Sequence, residues 1–329
     1  MRVLVTGSSG HLGEALMIVL AAEGHRPLGI DVLPGRHTDI VASITDRAAV
    51  DRCVADVEVV LHAATLHKPH VETHSTQAFV DVNVSGTLTL LEAAATAGLK
   101  GFVFTSTTSA FGANLRPTAG APAVWIDETV ADVPKNIYGA TKTAAEGLCH
   151  LFHRTRGLPC LVLRTSRFFP EDDDNPAARA AFGGDNLKAN EFLHRRVDLE
   201  DAARAHLDAM ARLGQLDFGR YVISAPTPLS RDDRAELRGD AAAVIERRVP
   251  GAGAVYADVG FRLPETLGRV YDSGRARAQL GWTPRYDFAH ILGQLKRGEP
   301  MGSALARSVG RKGYHPGATA EGIYPFDNG

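Results

Sequence analysis

Short apolar runs alternate with longer amphipathic stretches over the first 165 residues of the chain. The apolar runs are continuous rather than alternating, which is typical of strands buried on both faces of a sheet. We predict strands over 2–5, 27–31, 38–42, 57–62, 101–105 and 159–164. Helices are predicted over 12–24, 46–55, 77–97 and 135–156. This order predicts an α/β fold with a doubly wound parallel sheet that carries helices on both faces.

The regular alternation of predicted strands and helices ends after residue 164. Residues 168–190 are rich in Asp, Pro, Gly and Asn and predict a loop or an insertion. Its acidic run, 171–174, indicates a solvated face rather than a metal site, because nothing fixes it on a rigid element. A helix over 199–213 and a strand over 219–224 follow; the remainder is mixed, and residues after 298 lack clear periodicity. We predict one domain of residues 1–166 plus about 196–225, and a smaller C-terminal lobe of about 167–195 and 226–329.

Composition narrows the class of protein without choosing a function. Hydrophobic content of 44% and charged content of 22% are ordinary for a soluble globular protein, and the net charge of −2 gives no basic footprint for nucleic acid. No run of 18 apolar residues exists, and the first strand starts at Arg2, so we expect neither a membrane span nor a signal peptide. Cys53, Cys149 and Cys160 lack metal-ligand spacing. We therefore expect a cytoplasmic protein without bound metal.

A glycine-rich turn connects the first predicted strand to the first predicted helix. It reads Thr-Gly-Ser-Ser-Gly-His-Leu-Gly over residues 6–13. In that setting Gly7 allows a tight turn, Gly10 lets backbone approach a pyrophosphate, and Gly13 permits close packing of helix and strand. The N-terminus of the helix then offers unpaired N–H groups to an anion. The turn predicts a dinucleotide site, although a plain glycine-rich turn is the alternative.

Asp31 ends the second predicted strand, 18 residues after Gly13. A carboxylate at this place can accept hydrogen bonds from the hydroxyls of an adenosine ribose and would repel a 2′-phosphate, which favours NAD over NADP. Arg36 would weaken this preference if its side chain reached the ribose. Asp31 could instead serve only as a turn residue before Pro34 and Gly35.

Tyr138 and Lys142 lie four residues apart in a predicted helix, so both side chains belong to one face, about one turn from each other. A phenol beside an ammonium group can lose its proton well below its usual pKa of about 10. The pair is therefore a candidate for proton transfer in alcohol–ketone chemistry. The spacing alone is weak evidence, since chance also places a Lys four residues after a Tyr on an ordinary surface helix.

Several ordered motifs carry a family resemblance over about residues 1–290. Besides the glycine turn, Asp31 and the Tyr138/Lys142 pair, they are His62-Ala63-Ala64, the run 83–87, the run 105–112, Asp272 and the run 280–284. With these motifs the chain resembles the extended short-chain dehydrogenase/reductase family, which contains NAD-dependent nucleotide-sugar epimerases, dehydratases and related enzymes. The resemblance implies a Rossmann domain with a smaller substrate-binding lobe, and NAD as the cofactor.

The resemblance also implies roles for individual residues. Thr107 would hydrogen-bond the reacting oxygen, Tyr138 would be the general acid or base, and Lys142 would hold the nicotinamide ribose and lower the pKa of Tyr138. A hydroxyl that only caps local backbone is the alternative for Thr107. The implied cofactor-binding set is Gly7, Ser9, Gly10, His11, Leu12, Gly13, Asp31, Ser43, Ile44, His62, Ala63, Ala64, Asn83, Thr105, Tyr138 and Lys142.

The substrate is less readable. Candidate contacts are His67, Thr108, Arg167 and Arg262, the last lying ten residues before Asp272, where the family carries a diphosphate-binding arginine. The family's following Gly-Asp is replaced here by Pro-Glu, and its asparagine after the strand-six arginine by Arg167. Surface ion pairing is the alternative for both arginines, and His67 could equally be a loop histidine without a role. These departures put a standard uridine-diphosphate sugar in doubt and allow another nucleotide or a carboxylate-bearing substrate.

Three activities stay open. The first is redox-neutral epimerisation of a nucleotide sugar. The second is net oxidation or reduction of a free sugar, uronate or other alcohol, and the third is a non-catalytic NAD-sensing or scaffold role. Dehydration is disfavoured because Thr108-Ser109 stands where dehydratases of the family carry an acidic pair. The resemblance further implies a homodimer formed through the helices at 77–97 and 135–156.

Overall fold

The structure, a computed structural model, describes residues 1–172 and 180–312. Its strands are β1 (Arg2–Thr6), β2 (Arg26–Asp31), β3 (Ile40–Val41), β4 (Val59–His62), β5 (Gly101–Thr107), β6 (Val124–Ile126), β7 (Cys160–Thr165), β8 (Phe218–Ile223) and β9 (Arg269–Tyr271). Seven of them form one parallel sheet in the order β3-β2-β1-β4-β5-β7-β8. The chain reverses its direction of winding between β1 and β4, and a crevice at the carboxyl ends of the strands is expected at such a point. The predicted α/β, doubly wound fold is confirmed.

Helices cover both faces of this sheet. They are α1 (His11–Ala22), α2 (Arg47–Val54), α3 (Thr76–Phe79), α4 (Thr87–Thr96), α5 (Ile137–Arg156), α6 (Gly184–Phe192), α7 (Leu199–Arg212), α8 (Ala241–Arg248), α9 (Ala252–Asp258), α10 (Gly274–Leu280), α11 (Phe288–Lys296) and α12 (Ala304–Val309). Short 3-10 turns lie at Lys68–Glu72, Thr108–Leu115, Arg231–Arg234 and Glu236–Arg238. No helix within the described residues is long and apolar enough to cross a bilayer.

Alternation of side chains along each strand divides the sheet's apolar residues between two cores. In β1, Val3 and Val5 face the core under α1 and α7, whereas Leu4 faces the core under α2, α4 and α5. The three cysteines are free and buried, as the composition predicted. Helices cover both faces of the sheet. A ligand can therefore bind at the loops that follow the carboxyl ends of the strands.

The predicted helix over 77–97 is interrupted. Val80–Gly86 is a π-helical segment between α3 and α4. Asn83 in this wider segment is buried and turns its side chain toward the loop after β4. A Cβ at Gly86 would lie 2.7 Å from Cδ1 of Ile44, so any larger residue there would require the isoleucine side chain to move. Hydrophobic periodicity found the helical stretch but not its change of pitch.

The lobe departs from the sequence prediction in two places. Residues 184–192, largely predicted as part of a loop or insertion, form α6, which buries Leu187 and packs Ala189 and Phe192 into a third apolar core built mostly from the C-terminal half. The segment is polar in composition, and its few apolar residues do not form a complete apolar stripe along a helix. The sequence pattern therefore did not indicate a helix. Residues beyond 298, predicted without periodicity, include α12. Strands β6 and β9 pair in parallel as a small separate sheet.

Candidate active site

A cleft of about 850 Å³ lies at the carboxyl ends of β1, β4, β5 and β7. Most of the predicted cofactor residues line it: Gly7, Ser9, Gly10, His11, Leu12, Gly13, Asp31, Ser43, Ile44, Ala63, Ala64, Thr105, Tyr138 and Lys142. So do Thr107 and three of the four predicted substrate contacts, His67, Thr108 and Arg167. His62, Asn83 and Arg262 do not line it. The structure thus brings the glycine turn and the Tyr138 helix into one cavity.

The glycine turn has the close approaches that its spacing predicts. Gly7 has a φ of +75°, and a Cβ there would lie 2.8 Å from the amide nitrogen of Ala64. A Cβ at Gly13 would fall 1.8 Å from the carbonyl oxygen of Gly7, so α1 could not start where it does. A Cβ at Gly10 would meet only the Gly7 oxygen, at 3.2 Å, and would otherwise take up room in the cleft. This backbone cradle at a helix N-terminus fits a pyrophosphate.

His62 supports the end of β1 from behind the cleft. The hydroxyl of Thr6 accepts hydrogen bonds from the amides of Ala63 and Ala64, at 3.1 and 3.0 Å. It lies 2.7 Å from Nδ1 of His62, while Nε2 of His62 lies 2.9 Å from the hydroxyl of Thr87. Thr87 donates its own proton to the carbonyl of Asn83 at 2.7 Å, so Nε2 of His62 donates and Nδ1 accepts from Thr6. Burial, with the charge of Lys142, holds the pKa of His62 well below its usual value.

Asn83 shapes the loop after β4 without lining the cleft. Its side-chain amide donates to the carbonyl of Leu66 at 2.8 Å, and its oxygen accepts from the amide of Leu66 at 2.8 Å. The hydroxyl of Thr65 adds a bond at 2.9 Å. Asn83 therefore pairs with backbone as a neighbouring strand would, and it fixes a loop whose residues do line the cleft.

Asp31 lies at the opposite end of the cleft from Tyr138. Its two carboxylate oxygens accept from the amides of Ser9 and Leu33, each at 2.9 Å. Each oxygen keeps a further lone pair for a ligand hydroxyl. The carboxylate consequently ties β2 to the glycine turn and remains within reach of the cavity. Arg36 is exposed and does not line the cleft.

The N-terminus of α5 presents the tyrosine. Asn136 caps the helix through a 2.9 Å bond from the amide of Gly139, and the hydroxyl of Tyr138 lies near that of Thr107 at the end of β5. Burial raises the pKa of Tyr138 to about 12, and the nearby Thr107 hydroxyl only partly opposes this. The expectation that Lys142 lowers the pKa of this phenol is therefore wrong for the protein alone. Loss of hydration by the phenolate outweighs any help from a neighbouring cation.

Lys142 shares the buried face of α5. Burial lowers its pKa to about 7, against the opposing charge of Glu146 on the next turn. Its Nζ atom lies 4.0 Å from the centre of the Phe104 ring, an aromatic face that favours the charged form. Burial thus shifts Lys142 toward its neutral form, and the charge of Glu146 opposes that shift.

The hydroxyl of Thr105 is hydrogen-bonded to a histidine of α7. Nδ1 of the buried His206 donates to the carbonyl of Ala202 at 2.7 Å, so its Nε2 accepts from the hydroxyl of Thr105 at 2.8 Å. Burial lowers the pKa of His206 to about 4. Sequence reasoning missed this histidine, because a single His in a helix gives no sign of its partner 101 residues away.

Aromatic and charged groups stand at the substrate end of the cleft. The ring of His67 stacks on Phe169 with centroids 5.4 Å apart. Arg167 donates to the carbonyls of Glu171 and Asp172, at 3.2 and 2.6 Å, and so holds the loop after β7 in place. Arg262 lies elsewhere, in a depression of about 270 Å³, and donates to the carbonyl of Ala181 at 2.6 Å. The sequence placed it by interval alone, which fixes no direction in space.

The acidic run is not wholly a solvated face. Glu171 is fully buried, and its Oε1 lies 2.9 Å from Nε2 of His11 in the glycine turn. Burial opposes ionisation, but the bonds from His11 and backbone amides outweigh it and hold the pKa of Glu171 below its usual value. Asp173 and Asp174 lie outside the described residues. No cluster of potential metal ligands occurs within residues 1–172 and 180–312.

Lys312 also lines the cleft and was not predicted. Its amide donates to Glu171 at 3.2 Å, and its ammonium pairs with Glu14 in the first turn of α1. The only sequence signal was a lysine in a segment without periodicity. The cleft is therefore bordered by a part of the chain that sequence reasoning left unassigned.

Comparisons with known proteins agree with this geometry. The model of the NAD dependent epimerase/dehydratase family matches residues 3–182. A UDP-glucose 4-epimerase of Rhizobium leguminosarum bv. trifolii is 29% identical over 323 residues, covering 88% of this chain and 94% of that protein. The low-salt glycan biosynthesis protein Agl12 of Haloferax volcanii is 29% identical over 322 residues, covering 88% and 95%.

Two solved structures share the fold. A short-chain dehydrogenase/reductase superfamily protein from Agrobacterium tumefaciens, with bound NAD, has a TM-score of 0.64 at 20% identity and covers 94% of this chain and 97% of its own. A UDP-glucose 4-epimerase from Thermotoga maritima, with UDP-glucose, has a TM-score of 0.62 at 22% identity and covers 90% and 98%. With the family match over more than half of its length, the chain belongs to the NAD dependent epimerase/dehydratase family.

Proposed function

We propose that the protein is an NAD-dependent nucleotide-sugar epimerase that removes a hydride from a carbinol carbon and returns it to the opposite face. The observation that carries the proposal is the single cleft in which the glycine turn, Asp31 and the Thr107–Tyr138 pair meet. NAD bound there would take up the hydride and give it back. The names of the relatives, UDP-glucose 4-epimerases among them, support the substrate class.

Tyr138 would transfer the proton to and from the substrate oxygen. The phenol is protonated in the protein alone, so it is ready to donate to the oxygen of a keto intermediate. Taking a proton from the alcohol needs added positive charge beside the phenol, and Lys142 is the protein's own source of it. Thr107 accepts from the amide of Ser109 at 3.1 Å and would orient the reacting oxygen with its remaining capacity.

The cofactor would lie along the cleft from Asp31 to Lys142. The amides around Gly10 would face the pyrophosphate, Asp31 the adenosine ribose and Lys142 the nicotinamide ribose. Of the predicted set, we propose indirect roles for His62 and Asn83, since they hold loop backbone that lines the cleft. Thr105 would contribute through its position rather than its hydroxyl, which His206 occupies.

The substrate would enter beside His67, Thr108 and Arg167, which line the same cleft. Arg262 is left out of this set because it lies in the separate depression and not along the cleft. That placement favours a second candidate, a net NAD-dependent dehydrogenase or reductase of a free sugar or uronate. Such a substrate needs no diphosphate contact, and Arg167 could meet its carboxylate.

The two candidates differ in whether NADH accumulates. Purified protein would be freed of nucleotide, supplied with NAD and offered nucleotide sugars, uronates and simple alcohols in turn. The epimerase proposal expects conversion between 4-epimers of a nucleotide sugar with no net NADH. Sustained NADH formation from a free sugar, together with unchanged nucleotide sugars, would overturn it in favour of the dehydrogenase.

Tyr138→Phe tests the proton-transfer role within either activity. We expect turnover to fall by about 10³-fold or more while NAD affinity stays within a few-fold, because general acid–base catalysis contributes on the order of 10²–10⁴. Tyr256→Phe is the matched control, since that buried hydroxyl has no hydrogen-bond partner among the described residues. Full activity in the Tyr138 variant would refute the assignment.

The proposal also covers the domain boundaries, the oligomeric state and the location of the protein. We assign residues 1–166 and about 196–225 to the NAD-binding domain, and about 167–195 and 226–329 to a substrate-binding lobe, although α10 and α12 also pack on the sheet core. A homodimer through α4 and α5 and a cytoplasmic location are proposed with it. Sedimentation of the purified protein at micromolar concentration would test the dimer, and a monomer would exclude it.

A further inference from the structure

The face of α5 that carries Tyr138 and Lys142 continues for one more turn to Glu146. The spacing of four residues repeats, so all three side chains lie on one side of the helix. Glu146 is fully buried. A buried carboxylate is costly unless several donors satisfy it, so its partners are informative about its role.

Three strands supply those partners. The hydroxyl of Ser106, in β5 directly before Thr107, donates to Oε1 of Glu146 at 2.5 Å. The guanidinium of Arg164, in β7, donates to both oxygens of Glu146, the shortest bond being 2.6 Å. Nε of Arg220, in β8, lies 3.0 Å from Oε2. The carboxylate therefore joins α5 to three neighbouring strands at the floor of the site.

Glu146 is one of two carboxylates that face three cationic side chains in this layer. Lys142 and Arg164 are both almost fully buried, and Arg220 is about one-third exposed. Asp132, at 2.7 Å from Nη2 of Arg164, is the other carboxylate that pairs with that arginine. Removal of the Glu146 charge would leave Lys142 with no carboxylate on its own helix face. The buried ammonium would then lose an opposing charge that raises its pKa, which favours the neutral amine.

The titratable groups that act on Lys142 or respond to its charge are Glu146 and Cys149 on α5 and His62 on β4, and the ring of Phe104 in β5 lies under the ammonium. Of these, Glu146 is the carboxylate. The neighbours of Glu146 are Ser106, Arg164 and Arg220, with Asp132 behind Arg164.

We propose that Glu146 is a positioning residue of the site, which keeps the Lys142 ammonium protonated in its buried setting and fixes α5 against β5. Through Lys142 it supplies the positive charge that Tyr138 needs when it takes a proton. The role of Glu146 in proton transfer rests on the proposed function. Its effect on the charge state of Lys142 does not, because that charge state can be measured in the protein without cofactor or substrate.

The direct test follows the ionisation of Lys142. The chain has only seven lysines, so NMR of protein with ¹³C-labelled lysine, with Lys142→Met to assign the signal, is practical. In the nucleotide-free wild type we expect Lys142 to titrate near its pKa of about 7. In Glu146→Gln, which keeps the shape and a hydrogen-bonding oxygen, we expect the titration about 1 unit lower or more. An unmoved titration would overturn the proposal.

A second variant should shift the titration of Lys142 in the opposite direction. Arg220→Gln removes a cation that competes for Glu146, and since this side chain is partly exposed, the fold should tolerate its loss. The titration of Lys142 should then rise by about 0.3 unit, a small change because the arginine is partly screened by water. A fall, or no change, would contradict the proposal even if the Glu146 variant did not fold. Glu128→Gln, at a half-buried glutamate bonded to the amide of Val222, is the matched control and should leave Lys142 unaffected.

NAD affinity gives a readout that a merely structural role would not move in the same way. If NAD needs the ammonium, a 1-unit fall in its pKa makes binding by Glu146→Gln weaker by roughly tenfold at pH 8 but only about twofold at pH 6. A variant that had only loosened the site would lose the same factor at both values, and that result would overturn the charge role. Failure of epimerase activity on every nucleotide sugar would refute the proposed function and leave these measurements standing.

Discussion

The buried imidazole of His206 predicts a specific loss of stability in mild acid. In the native protein burial lowers the pKa of this group from its usual 6.5 to about 4, because a charged ring between α7 and β5 would be poorly solvated. The unfolded chain binds the proton more readily than the native protein does. The stabilisation is therefore complete above pH 6.5 and is lost as the pH falls toward 4.

The magnitude follows from the two pKa values. Each unit of difference corresponds to about 1.4 kcal/mol, so the full effect is about 3 kcal/mol, of which about 2 kcal/mol disappears between pH 7 and pH 5. His62 is also buried and His194 is partly buried, and both have lowered pKa values, so the whole protein should lose more stability than this. The share of His206 is isolated by comparing the wild type with His206→Gln.

Urea unfolding at pH 7 and pH 5 is the assay. The variant should be less stable at pH 7, by about 1–3 kcal/mol, because the Thr105 and Ala202 groups lose a well-placed partner. Its further loss on going to pH 5 should be smaller than that of the wild type by about 2 kcal/mol. His74→Gln, at an exposed position, should leave the pH-dependent loss unchanged. Equal pH-dependent losses in the wild type and His206→Gln would refute the reasoning.

Two further substitutions test the cofactor end of the cleft. Asp31→Ala should reduce the preference for NAD over NADP by about tenfold, since it removes a carboxylate that would repel a 2′-phosphate; titration with both nucleotides checks this, and an unchanged ratio counts against the ribose role. Gly13→Ala should destabilise the protein by about 1–3 kcal/mol and weaken NAD binding, because its Cβ would overlap the Gly7 oxygen. Gly147→Ala, an exposed helical position with nothing within 4 Å of the new Cβ, should instead stabilise by about 0.5–1 kcal/mol. If both alanines behaved alike in urea unfolding, the close approach at Gly13 would not matter.

The sequence was most informative where function depends on backbone. A glycine turn between a strand and a helix is specified by local residues, and Gly7 and Gly13 do lie where any side chain would collide. The Tyr138–Lys142 spacing was equally reliable as geometry, because a helix face follows from periodicity. The pKa of Tyr138 was not predictable, because it depends on burial by residues from other strands.

Long-range partners account for most of what the sequence could not supply. Glu146 was visible four residues after Lys142, but its bonds to Arg164 and Ser106 arise only when α5 packs on β5 and β7. Glu171 looked like one acid among several, and it is the buried partner of His11. Arg262 has the predicted interval from Asp272 but does not line the cleft, because sequence distance does not say which way a loop turns.

The third apolar core has a consequence for how this enzyme can change. It holds α6, α8, α9 and α11 together with residues such as Tyr256 and Phe288, and it is distinct from the two cores that clamp the sheet. None of its described residues lines the cleft, so substitutions that repack this core should leave the cradle for the cofactor intact. Under the proposed assignment of this lobe to substrate binding, the lobe could be randomised and the variants screened first for retained NAD binding, before any substrate is known.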